Sequence, residues 1–369
     1  METVNATTNG SINFPMSVNY WEQIFTAILT LLISVTGIIG NTLIILAVAF
    51  CQKLQTSTNA FVTSLAVADL LTSIFLIWFS VSILGHNEWP IPNAIWLCDI
   101  TGFTIYACRG TSLYTLAAIA VNRLILITKS YTYSKIFTSW KLVMLIAIPW
   151  IIPWVAFIIL ILAGVGQFGY DIGDLSCSAI GSAYLPDIMA ICIAAIGFPV
   201  PLSLVVFSYT GIYLYLRRHF HAKKSTIQIP SSHGTDDTGS NALDLDAKDK
   251  QLQVSTPDLS DNANMNQTKR YRQISRDQIK ITKNLFLIVC SVYVCFLPYF
   301  ICLLLIQKSY IRVHFYARIV TFANSAINFA IHTSKHPDFN MVIRNMVRGS
   351  YSNIPQPSRL LRFLLSKWK

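Results

Sequence analysis

Long apolar runs alternate with short polar connections along most of this chain. Four runs, 24–50, 142–170, 188–216 and 284–307, contain no Asp, Glu, Lys or Arg, and a shorter one, 319–334, lies between Arg318 and Lys335. Two more hold one charge each, Asp69 within 58–84 and Arg109 within 100–122. Uninterrupted apolar stretches of about 18 residues or more are long enough to cross a bilayer as a helix. A helix is also one of the few structures that satisfies its own backbone there. The pattern therefore predicts an all-α membrane protein, a seven-transmembrane helix bundle over residues 23–335. Its spans fall near 24–50, 58–84, 96–127, 140–163, 186–217, 278–306 and 313–334. The seventh rests on the shortest run; without it six would remain.

Between the spans the connections are short except for 218–277, a polar stretch rich in Ser, Asp, Asn and Thr with few aromatics. It lacks the apolar surface to fold alone and is expected to be a disordered third intracellular loop. Its ends are basic (Arg217, Arg218, Lys223, Lys224; Lys269, Arg270, Arg272, Arg276) and its centre, from Asp236 to Asp261, is acidic. The basic ends read either as solvated loop or as helical extensions that meet a partner or anionic lipid. Arg272-Gln273-Ile274-Ser275 and Thr256-Pro257 resemble kinase substrates. After the last span, Pro337 can open a helix, and Phe339, Val342, Ile343 and Met346 alternate with Asn340, Arg344 and Asn345 at helical spacing. Residues 337–348 are thus expected to form a short amphipathic eighth helix on the inner membrane surface, followed by a tail at 349–369.

Composition agrees with a bilayer as solvent: 53% of residues are hydrophobic and 12% charged. The net charge of +11 is unevenly placed. With the N-terminus outside, all but four of the 28 Lys and Arg residues fall at the cytoplasmic side, the exceptions being Arg109, Lys308, Arg312 and Arg318. That orientation puts a plasma-membrane protein's tail 1–22 outside, with Asn5 and Asn9 as glycosylation acceptors, and makes membrane lipids, not nucleic acid, the partners of the positive charge. The first twenty residues are polar, so the first span is expected to serve as its own signal instead of a cleaved peptide.

Charged groups inside spans are costly and point to function. Asp69 needs a cation, a proton or several donors. Candidate neighbours are Asn41, Ser112, Asn324, Ser325 and Asn328 on the first, third and seventh spans. Such an oxygen-rich group suits a hydrated sodium ion, the single cofactor foreseen. The alternative is a protonated Asp69 in a structural hydrogen-bond network.

Gly40-Asn41, Leu65-Ala66-Val67-Ala68-Asp69, Trp89, Cys98 and Arg123, Trp150, Pro201 with Tyr209, Pro298, Asn324-Ser325 with Asn328, and Phe339 together form an ordered set. In this set the chain resembles the rhodopsin-like (class A) G-protein-coupled receptors. Within them Ala118-Ile119-Ala120-Val121-Asn122-Arg123 looks most like melatonin receptors and their orphan invertebrate relatives. The resemblance implies a disulfide between Cys98 and Cys177, on the oxidising side. It also implies that Arg123 engages a heterotrimeric G protein together with Asn122, Tyr209, Phe296, Pro298, Asn328 and His332, and that arrestin and receptor kinases are further partners. Read from its position alone, Arg123 could simply snorkel to head groups.

Several positions depart from the family pattern. Asn122 replaces the usual Asp, and Gln278 the acid that many relatives place on the sixth helix, which predicts appreciable basal activity. Phe296 stands for Trp, and Asn328-Phe329-Ala330-Ile331-His332 for Asn-Pro-x-x-Tyr. His332 introduces a titratable group there. The expected ligand pocket comprises Ile105, Arg109, Phe296, Arg318 and Phe322. Ile105 occupies the place of the amine-binding Asp and Phe322 that of the retinal-binding Lys, so neither a monoamine nor retinal is expected, and the ligand is an extracellular small molecule, lipid or peptide. Arg109, a turn deeper, requires a counter-charge: a ligand carboxylate or phosphate, or an internal partner such as Asp69 or Asp187.

No inverted repeat or paired Gly-interrupted helices favours a transporter or channel, which would use the Asp69 cluster for coupling or conduction. No nucleophile and base pair suggests an enzyme. Leu124 and His332 leave open a receptor that binds ligand without G-protein coupling.

Overall fold

A computed structural model of the chain describes residues 19–85, 88–172, 175–181, 189, 192–226, 282–302 and 311–367. The expected glycosylation sites Asn5 and Asn9, the core of the third intracellular loop, Gln278, Asp174 and Asp187 lie outside them.

Seven long helices follow the apolar runs: α1 (Tyr20–Phe50), α2 (Ser57–Ile83), α3 (Ile95–Thr128), α5 (Ser139–Leu162), α6 (Pro199–Thr226), α7 (Thr282–Cys302) and α8 (Ile311–Lys335). The short α4 (Ser130–Ile136) bridges α3 and α5. Six of the seven long helices are long and apolar enough to cross a membrane by length and composition. The seventh, α8, is long enough, but Arg312, Arg318 and Lys335 lower its hydropathy. It belongs to the bundle because one polar face meets protein: Arg318, Asn324, Ser325, Asn328 and His332 are all buried.

Local chemistry sets the helix ends. The backbone N–H of Asn19 donates to the Glu22 carboxylate at 3.2 Å, and Thr56 Oγ1 accepts from Asn59 N at 3.2 Å, so α1 and α2 begin on capped donors. Within the spans, Thr30, Thr72, Ser73 and Thr111 donate to the carbonyl four residues back, which satisfies hydroxyls where water is absent.

Helix α3 is the axis of the bundle, buried along most of its length. By contrast α5 buries only Pro149, Pro153 and Phe157 and presents apolar residues nearly all round, as a peripheral membrane helix does. Its indoles tie it inward: Trp150 Nε1 donates to Ser64 Oγ at 2.9 Å and Trp154 Nε1 to Thr111 Oγ1 at 3.2 Å. A π-helical turn, Ile193–Gly197, precedes α6, where Pro199 and Pro201 lack the N–H groups a regular ladder needs.

The apolar-run pattern did not anticipate β1 (Gly166–Asp171) and β2 (Ser176–Gly181), an antiparallel hairpin in the connection after α5. The Cys98–Cys177 disulfide joins it to α3. Gly102 permits the approach, since a Cβ there would stand 3.1 Å from the Phe168 ring and 3.4 Å from the Cys177 backbone.

At the opposite end, α9 (Pro337–Val347) buries Phe339, Val342, Ile343 and Met346, the face expected for the eighth helix. A further helix, α10 (Arg359–Lys367), closes the described chain. The segment before it crosses the end of α1 beside α9, the inner end in the orientation expected from the basic residues. Gln52 N donates to Gln356 O at 2.9 Å, Ser358 N to Phe50 O at 2.8 Å, and the Cys51 thiol to Pro355 O at 3.2 Å. Cys51 pairs with Pro357 as an isolated antiparallel bridge and is fully buried.

Candidate functional site

Three groups of polar residues lie along the bundle. The middle one is built on Asp69 of α2, 1% exposed. Ser112 Oγ of α3 donates to its Oδ1 at 3.0 Å and Asn328 Nδ2 of α8 to its Oδ2 at 2.6 Å, so one carboxylate joins three helices. Asn41 does not reach it. Its amide donates to Gly37 O at 2.9 Å and Ser325 O at 3.1 Å, which ties α1 to α8. The buried oxygens Asn41 Oδ1, Asn324 Oδ1, Asn328 Oδ1 and Thr115 Oγ1 accept nothing among the described residues. A carboxylate bonded to Asn328, whose own amide oxygen is idle, with further idle oxygens on α1, α3 and α8, fits a hard monovalent cation with a partial water shell. Among the described residues no group of three His, Cys, Asp or Glu could hold a transition metal.

The inner group surrounds Arg123, 4% exposed at the end of α3. Asn122 accepts from Thr58 Oγ1 at 2.8 Å and donates to the Tyr133 hydroxyl at 3.1 Å. It therefore links α3 to α2 and α4 as a neutral side chain. The phenols of Tyr133 and Tyr209 lie within electrostatic reach of the Arg123 guanidinium. Tyr209 packs on Phe286 at 4.8 Å between ring centroids, holding α6 against α7. On the α8 side, His332 and His336 both lie against Phe339, at 5.7 and 5.1 Å. His336, beyond the span, has its pKa pulled below the usual histidine value, first by burial and then by the Arg123 and Lys53 charges, with Asp338 opposing.

The outer group holds Arg109 and Arg318. Arg109, 8% exposed, donates through Nη2 to Thr321 Oγ1, with the Arg318 carbonyl at 3.5 Å. It lies 4.1 Å from the Phe322 ring centre and 5.9 Å from that of Tyr106. Arg318 Nη1 donates to Ser176 Oγ of the hairpin at 2.5 Å and its guanidinium sits 5.9 Å from the Tyr299 ring. The Tyr106 and Tyr299 hydroxyls share a hydrogen bond of 2.9 Å. Ile105 and Phe322 join one apolar cluster here with Leu76, Phe79, Phe315 and Ile319. Phe296 belongs elsewhere, to the inner core with Phe198 and Phe300.

Asp69 as internal partner of Arg109 is ruled out by this geometry. Both Asp69 oxygens are engaged by Ser112 and Asn328, and Arg109 forms no ion pair among the described residues. Sequence reasoning also passed over Tyr106, Thr321, Tyr299 and Ser176. The first two carry a signal, since Tyr106 precedes Arg109 and Thr321 follows Arg318 by three residues, on the same helix face. Tyr299 and Ser176 carry none beyond their proximity to Pro298 and Cys177.

Comparison with known proteins agrees with this architecture. Residues 40–331 match the family described as 7 transmembrane receptor (rhodopsin family). The chain is 25% identical to the G-protein coupled receptor moody of Drosophila melanogaster over 91% of its own length and 52% of that protein's. To melatonin receptor type 1C of Gallus gallus it is 32% identical over 49% of its length and 50% of that receptor's. It thus spans about half the length of these curated relatives. Squid rhodopsin shares the fold, with a TM-score of 0.71 at 16% identity, covering 94% of this chain and 91% of that one. With seven helices on the apolar runs, the hairpin pinned to α3 and a family match across most of the bundle, the chain belongs to the rhodopsin family of seven-transmembrane receptors.

Proposed function

We propose that this receptor, in the plasma membrane with its N-terminus outside, converts binding of an extracellular ligand into activation of a heterotrimeric G protein. The observation that carries the reading is Arg123, a buried cation at the inner end of α3 whose neighbour Asn122 is neutral and bonded to α2 and α4. A two-state bundle that opens at this end would release the guanidinium toward a cytoplasmic partner. Because no carboxylate at position 122 restrains it, a fraction of the receptors should be open without ligand. Ile105 offers no anion for an amine, so the ligand is not a monoamine, and Phe322 leaves no lysine for retinal. Arrestin and receptor kinases are proposed as further partners. The Asp69 cluster is proposed to hold an allosteric sodium ion that stabilises the closed bundle.

The test is basal cyclic AMP and inositol phosphate output for wild type and Arg123→Ala at equal surface expression. A wild-type signal above untransfected cells and lost in the variant is the expected result. Basal output indistinguishable from untransfected cells would count against the open fraction. Arrestin recruitment without any G-protein signal would favour the second reading, a receptor that binds ligand without G-protein coupling, for which Leu124 against Gly211 of α6 and His332 speak.

A further inference from the structure

We propose that the outer half of the bundle binds an anionic head group, a carboxylate or phosphate, through Arg109 and Arg318; the proposal rests on the receptor reading above and names its ligand class. Arg109 carries the argument. It is buried, its Nε has no hydrogen-bond partner, and the ion pairs among the described residues, Lys53–Asp338 and Arg312–Glu22, do not include it. The partners it does have are a threonine hydroxyl, a distant carbonyl and two aromatic faces, all neutral. Such contacts offset only part of the cost of removing a charge from water.

A second guanidinium stands close by. Arg318 places its carbonyl against Arg109 and its own charge beneath the hairpin, at Ser176. Two cations therefore share one region with four hydroxyl groups, those of Tyr106, Tyr299, Thr321 and Ser176. Among the described residues around Arg109 there are guanidinium and hydroxyl groups and no carboxylate, the reverse of what a cationic ligand needs. A planar guanidinium pairs bidentately with carboxylate and phosphate oxygens, a pairing that Arg109 lacks among the described residues. Beside it stands the apolar cluster of Ile105, Phe79, Phe322, Phe315 and Ile319, which suits a ligand whose anionic head continues into an apolar body. The head could come from a bilayer lipid or from a soluble anion.

The deciding measurement is the thermal midpoint of the full-length receptor in phosphatidylcholine nanodiscs, as wild type and as Arg109→Met, titrated separately with sodium oleate and with inorganic phosphate. Without a probe, Arg109→Met should melt at or above wild type, because it removes an unneutralised buried charge. At least one probe should raise the wild-type midpoint by several degrees, as a ligand selective for the folded state does, and the rise should vanish in the variant. A rise with oleate alone assigns the head group of a lipid; a rise with phosphate assigns a soluble anion. The proposal is overturned if Arg109→Met melts well below wild type, which would mark an internal counter-ion. It is equally overturned if neither probe moves the wild type, or if both proteins move alike. Should Arg109→Met not be recovered, Arg109→Lys decides. It keeps the charge and loses the fork, so it should need markedly more probe for the same rise, and an unchanged response would overturn the assignment. The readout requires no G protein, so an anion-binding receptor that never signals would sink the coupling reading alone.

Discussion

At the scale of single residues, the polar side chains inside the spans divide by whether their partners are complete. Asp69 has a donor on each oxygen, yet the amide oxygens of Asn41, Asn324 and Asn328 accept nothing among the described residues, an imbalance a cation would correct. Replacing choline chloride by sodium chloride at constant ionic strength should raise the thermal midpoint of the purified receptor, and Asp69→Asn should abolish the difference. An equal response in both proteins would remove sodium from the site. His336 makes a second residue-scale prediction. Its folded-state pKa lies below the ordinary value of about 6.5, so the unfolded chain binds the proton more readily. The corresponding stability is intact above that ordinary value and is lost as the pH falls through the folded-state value. Asp338, Arg123, Lys53 and His332 are the titratable groups around it, and only Asp338 favours the charged form. Midpoints recorded from neutral to mildly acidic pH should fall less steeply for His336→Gln than for wild type.

At the scale of elements, small residues decide which helices approach. Gly40 of α1 receives the Phe329 ring of α8, so closely that any Cβ at position 40 would overlap it. Gly40→Leu should therefore cost about 1–3 kcal/mol through overpacking, seen as lower surface expression and a lower midpoint, and Phe329→Ala should restore part of the loss. Failure of that rescue would place the damage elsewhere. These contacts also show what the sequence could and could not convey. The spans were legible because one physical requirement, an apolar run of bilayer length, fixes them. The clustering of Asp69 with Ser112 and Asn328 was legible because buried polar groups must find one another. The Asn122 bonds to Thr58 and Tyr133 were not, since they depend on how α2 and α4 are placed around α3. The hairpin escaped because Gly166 to Tyr170 continues an uncharged run, and composition alone does not separate the end of a membrane helix from a strand in the connection that follows it. For α8 the signal was shorter: its arginines leave only a brief uncharged run, and burial of Arg318 against neighbouring helices explains how the span tolerates it.

For the molecule as a whole, the two ends of the bundle are closed differently. The outer end carries a hairpin held covalently through Cys98–Cys177, whereas at the inner end the segment before α10 lies across α1 on backbone hydrogen bonds and one bridge. A covalent clasp stays shut, but a hydrogen-bonded strap over a membrane helix can lift, and under the proposed function it would do so when a G protein arrives. Cys51 lies wholly beneath that strap, its thiol bonded to Pro355. The chain thereby contains its own reporter. With the partly exposed Cys192 and Cys290 replaced by serine, a membrane-permeant maleimide should label Cys51 slowly in the resting receptor and several-fold faster once residues 355–358 detach. Rapid labelling at rest would mean the strap is open from the start; a rate that quickens only with a bound G protein would turn one buried sulfur into a clock for engagement.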